Sequence, residues 1–95
     1  MPWVYLDTET HLISPGNLAP KLVSVQIAED GCDVEIYVAS DPRTHDAVAR
    51  ALQGFRVIGH NVAFDLAVLA NAFPDLMPEV WRAYDEGREI GRAHV

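Results

Sequence analysis

The run Trp3-Val4-Tyr5-Leu6 is apolar at every position. A strand without a polar face belongs in the middle of a sheet, with a partner on each side. That demand limits this chain more than any other feature in it, because 95 residues make one small domain at most. With 49% hydrophobic residues the chain can build a core, and 22% charged residues is the share found in soluble globular proteins. No apolar run reaches the length that crosses a bilayer, and the first residues lack the basic region of a signal peptide. No membrane partner is therefore expected.

The strand extends to Thr8 and runs into a loop, His11 to Pro20, where Ser14-Pro15-Gly16-Asn17 supplies turn chemistry. Lys21 to Ala28 alternates Val23, Val25 and Ile27 with Ser24 and Gln26, which predicts a second strand. Glu29-Asp30-Gly31 reads as a tight turn. A third strand follows, with Cys32, Val34, Ile36 and Val38 on one face and Asp33, Glu35 and Tyr37 on the other. Around Asp41-Pro42 the period changes. Ala47, Val48, Ala51 and Leu52 recur at helical spacing, with Gly54 placed to end the helix. Phe55 to Ile58 predicts a parallel strand reached by a crossover, and Asn61 can cap a helix from Val62 to Phe73, closed by Pro74. A last helix is expected from Pro78 to Glu86, followed by Gly87. The order β-β-β-α-β-α makes the chain α/β: a three-stranded antiparallel meander plus one parallel strand beside the first.

Asp7 and Glu9 end the first strand. Side chains alternate along a strand, so both point to one face, roughly 6–7 Å apart at Cα. Two like charges there repel unless they are simply solvated at a frayed end or share a hard cation such as Mg²⁺ or Mn²⁺, which prefers oxygen ligands. A second acid, Asp65, falls in the first turn of the helix opened by "GHN". The apolar stripe of that helix is Val62, Leu66, Leu69 and Phe73, and Asp65 lies beside it rather than opposite. The helix dipole favours an anion at that position. Phe64 points away from the stripe.

The net charge of −7, with only seven Lys and Arg, excludes a broad basic face for nucleic acid. A phosphate polymer could be attracted only locally, by cations held on carboxylates. The single cysteine, Cys32, excludes an internal disulfide or a cysteine-based zinc site, and reads as a buried strand thiol. His11, His45 and His60 show no ligand spacing and read as loop or surface residues. Trp3, Tyr5 and Trp81 read as core.

"DTET" on the first strand together with "HNVAFD" at a later helix start resembles the first two motifs of the DEDD-type 3′–5′ exonucleases, which have a ribonuclease H-like fold. The loop and the strand "LVSVQIA" look like the proofreading domains of family A DNA polymerases, bacterial and phage ones especially. The resemblance implies a two-metal hydrolase acting on the 3′ end of single-stranded nucleic acid, DNA in a polymerase, and releasing nucleoside 5′-monophosphates. Asp7, Glu9 and Asp65 would be its catalytic residues and the ligands of two divalent cations, Mg²⁺ or Mn²⁺, with Glu9 also near the attacking water. Asn61 would be a helix cap or a substrate contact, and Thr8, Thr10 and Phe64 would touch the terminal nucleotide. It also implies a covalently attached polymerase domain and a bacterial or phage-encoded, cytoplasmic protein.

The family's third motif, a Tyr or His followed by a late Asp on a downstream helix, has no counterpart here. Tyr84 and Asp85 are adjacent and come too soon after Asp65. Residues 1–88 are therefore expected to be the N-terminal part of an exonuclease domain, an incomplete ribonuclease H-like sheet with flanking helices, and weak or inactive as it stands. The final "IGRAHV" is what one reading frame of a common sequencing adapter encodes, so 89–95 are expected to be a non-native tail. Two other functions fit the same residues: a 3′–5′ exoribonuclease of the superfamily, and a non-catalytic nucleic-acid-binding module.

Overall fold

The computed structural model describes residues 2–11, 20–53 and 55–91, the last three as backbone alone. The loop between His11 and Pro20, Gly54 and the last four residues of the tail lie outside the described residues. Five strands, β1 (Trp3–Thr10), β2 (Leu22–Glu29), β3 (Glu35–Val38), β4 (Arg56–Gly59) and β5 (Glu89–Gly91), form one sheet in the order β3-β2-β1-β4-β5. β1, β2 and β3 make an antiparallel meander, and β4 lies parallel to β1 on the other side. The apolar first strand is thus central. This is the mixed α/β sheet of a partial ribonuclease H-like fold. β5, parallel to β4, is an addition that the sequence pattern did not announce.

Three α-helices, α1 (Arg43–Leu52), α2 (Val62–Ala72) and α3 (Met77–Asp85), pack with a one-turn 3-10 helix at Pro74–Leu76. They cover one face of the sheet. Val4 and Leu6 of β1, Val25 and Ile27 of β2, and Val57 of β4 are buried against Val48 and Leu52 of α1 and Leu66 and Leu69 of α2. Each fully buried Leu contributes about 1.5–3 kcal/mol relative to exposure.

The opposite face of the sheet is open, and this corrects several expectations. Trp3, Val23, Ile36 and Val38 are exposed, as is Trp81 on α3, while Tyr5 is half-buried; none of the three aromatics is a core residue. A run apolar at every position makes a strand central, but does not cover both of its faces. Val23 loses its place because the β1–β2 register shifts between Glu9 and Thr10, pairing Thr10 with Leu22. Leu22 is therefore buried instead. In β3, pairing of Tyr37 with Val25 and of Glu35 with Ile27 fixes these two on the covered side, where the Tyr37 hydroxyl donates to the Glu35 carboxylate. Ile36 and Val38 must then face out. Cys32 precedes β3 in the turn after Gly31, whose φ of 81° suits glycine, and it is exposed rather than a buried strand thiol.

Two close contacts fix the sheet's second half. A Cβ added at Gly59 would sit 2.6 Å from the Leu6 carbonyl oxygen, so only glycine lets β4 end this close to β1. Gly87, just past the end of α3 and with φ of 65°, closes the helix: the Gly87 N–H donates to the Tyr84 carbonyl and the Arg88 N–H to the Ala83 carbonyl, a paired C-terminal cap. That cap delivers Arg88 into the interior, 3% exposed. Its guanidinium donates to the Leu52 and Phe55 carbonyls at 2.9 and 3.0 Å and to the Glu86 carboxylate at 2.7 Å. Its own carbonyl accepts the Val57 N–H at 2.7 Å.

Replacing Arg88 with Met leaves two backbone carbonyls unsatisfied and should cost about 2–4 kcal/mol in urea unfolding. Gly59→Ala should cost about 1–3 kcal/mol in the same measurement, because the neighbour it meets is backbone.

Candidate functional site

The end of β1 presents different chemistry on its two pleats. Leu6 and Thr8 face the helices, opposite Ile27 and Val25, whereas Asp7 and Glu9 face the open side, opposite Gln26 and Ser24. Asp7 is half-buried and Glu9 exposed. The two acids share a face, as strand periodicity requires.

α2 begins three residues after Gly59. Asn61 holds the N-cap position, with φ −138° and ψ 74°, and its carbonyl accepts the Asp65 N–H at 3.0 Å, but its side chain makes no capping hydrogen bond. Asn61 is exposed, so the side-chain cap read from the sequence is absent. The helix is buried more broadly than one stripe: Val62, Asp65, Leu66, Val68, Leu69 and Ala70 are all covered, and Phe73 is half-buried.

Asp65 is 3% exposed. The Thr8 hydroxyl donates to its Oδ1 at 2.6 Å, while its Oδ2 is buried without a partner. That free oxygen faces Gly59, 3.6 Å from where a Cβ would stand. Burial raises the Asp65 pKa to about 6; the Thr8 hydrogen bond pulls it down and the Asp7 charge pushes it up. Asp65 thus lies within electrostatic reach of Asp7, not across the molecule from it.

Among the described residues, however, no three His, Cys, Asp or Glu side chains come together in a cation-sized group. Asp7 and Glu9 stand on the pleat opposite Thr8, and Thr8 is what meets Asp65. The other candidates are dispersed. Thr10 pairs with Leu22 beyond the register shift, and Phe64 is half-buried against the core. Thr8, expected at the terminal nucleotide, turns inward instead. Strand alternation already held that signal, since Thr8 cannot share a face with its neighbours. His60 is exposed next to Asn61. His45 is more than a surface residue: its Nε2 lies 2.5 Å from Asp75, its ring packs edge-on to Phe73, and the Asp75 carboxylate raises its pKa.

The donors fit a hard divalent cation in kind. All are carboxylate oxygens, and a buried carboxylate oxygen with no hydrogen-bond donor is costly unless a ligand takes it up. A family model described as 3′–5′ exonuclease matches residues 1–87. Neither a curated protein nor a solved structure matches the chain.

Asp65 is an acid whose folded pKa lies above its ordinary 3.8. Below that value both folded and unfolded chains hold the proton and no cost arises. Between 3.8 and about 6 the unfolded chain releases its proton while the folded chain still holds it, so stability falls across that window and levels off once the folded state is also ionised. The stability of Asp65→Asn relative to the unsubstituted, metal-free chain should therefore shift in its favour by about 2 kcal/mol from about pH 4 to about pH 7.5. Urea unfolding across that range checks it.

Proposed function

Because the chain belongs to the 3′–5′ exonuclease family whose model its residues 1–87 match, we propose that it serves metal-dependent removal of nucleotides from a single-stranded DNA 3′ end, as part of a proofreading domain attached to a DNA polymerase. The observation that carries the reading is the unpartnered, buried Oδ2 of Asp65 beside the acidic end of β1.

In this reading Asp7, Glu9 and Asp65 hold the cations. Bound there, two divalent cations would lower the pKa of a water, hold the scissile phosphate and stabilise the leaving oxygen. Glu9, the exposed acid, accepts a hydrogen bond from the attacking water and aligns it toward phosphorus. The Asn61 amide, free of capping duty, donates to the terminal phosphate. With a net charge of −7, the protein has no general attraction for the strand, so the phosphate is drawn to the loaded carboxylates alone. Products would be nucleoside 5′-monophosphates.

One observation favours a second reading, a nucleic-acid-binding module without catalysis: among the described residues no three ligating side chains are gathered. A 5′-labelled single-stranded DNA oligonucleotide incubated with Mn²⁺ separates the two. The exonuclease reading expects slow shortening from the 3′ end. Asp7→Ala should reduce it by about 100-fold or more, since even residues behind a metal ligand are worth about 10–100-fold. Retention of the strand with no shortening at any Mn²⁺ concentration supports the binding module. Faster shortening of an RNA strand of the same sequence would move the substrate to RNA, through its 2′-hydroxyls.

A further inference from the structure

Resting on the metal-dependent reading above, we infer that Thr8 is a positioning residue for Asp65: its hydroxyl anchors one carboxylate oxygen so that the other is presented to a cation.

Three observations join in this. The Thr8 Oγ1–Asp65 Oδ1 hydrogen bond is short, 2.6 Å, and links residues 57 positions apart, so β1 and α2 are tied at this point by side chains as well as by packing. The same carboxylate leaves Oδ2 buried and without a partner. Gly59 keeps the space in front of Oδ2 clear, since a Cβ there would stand 3.6 Å from it. A carboxylate rotates freely about its terminal bond unless one oxygen is held. With Oδ1 held by Thr8, Oδ2 has one direction to point, past Gly59. Residues behind a metal ligand act in this way, by fixing its orientation before the metal arrives.

The end of β1 therefore contributes from both of its pleats. Asp7 and Glu9 stand on the open side, and Thr8 between them reaches through to the helix side. Thr8 touches no substrate in this arrangement; it acts through Asp65. A hydroxyl is required and a methyl is not, which makes Ser the conservative replacement and Val the isosteric loss.

The test is calorimetric titration of Mn²⁺ into the full chain at neutral pH, for the unsubstituted protein, Thr8→Val, Thr8→Ser and Asp65→Asn, with circular dichroism to verify the fold. Thr8→Val should weaken Mn²⁺ binding by about 10–100-fold, Thr8→Ser should bind like the unsubstituted chain, and Asp65→Asn should show the largest loss. Thr8→Ala, which removes the hydroxyl and adds no volume, should match Thr8→Val and replaces it if Val disturbs the fold. If Thr8→Val and Thr8→Ala bind Mn²⁺ normally while Asp65→Asn does not, the positioning role is overturned and the metal reading stands. A loss in Thr8→Ser equal to that in Thr8→Val also overturns it, because the hydroxyl is then not what matters. If the unsubstituted chain and Asp65→Asn give the same titration, with or without binding, the metal reading itself falls and takes this role with it.

Discussion

The missing side chain of Gly59 is the constraint on which the rest of the site depends. Any Cβ there would meet the Leu6 carbonyl oxygen at 2.6 Å, so the parallel pairing of β4 with β1 can close at that end only over glycine. The chain leaves β4 at this point and enters α2 within three residues. The first turn of α2 is thereby set down over the end of β1, and Asp65 arrives beneath Thr8. A looser junction would carry the helix outward by about the radius of a methyl group, enough to break a hydrogen bond of this length.

This arrangement opposes stability at one position. An acid is buried, half of its carboxylate is unsatisfied, and the Asp7 charge that acts on it has the same sign. The helix N-terminus offsets part of the cost. Elsewhere the fold is locally consistent: apolar residues of β1, β2 and β4 meet those of the helices, and backbone groups at the helix ends find partners. Among the described residues, Asp65 is thus the locally inconsistent acid of an otherwise consistent core.

Much of this was legible in the residues. Periodicity gave the order of the first six elements, the central position of β1, and the place of Asp65 beside an apolar stripe. It could not tell which face of a two-faced strand would be covered, so Ile36 and Val38 seemed as fit for the core as Val25 and Ile27. Alternation fixes faces, and only pairing fixes which face is in. The register shift that exposes Val23 has no sequence signal short of knowing its partner strand. Asn61 occupies the cap position read from the sequence without performing the cap, because residue type marks a place and not a hydrogen bond. Arg88 belongs to no periodic pattern at all. A buried guanidinium is recognised by the carbonyls it serves, and those lie more than thirty residues earlier.

That separation bears on how the molecule assembles. Among the described residues, the Arg88 guanidinium meets the carbonyls of Leu52 at the end of α1 and of Phe55 leading into β4, and its carbonyl takes the Val57 amide of β4. The partner lies more than thirty residues further along, so these contacts close a long loop. The loop must close before the contact repays its entropy. The edge of β4 away from β1 is thereby tied to the far end of the described chain.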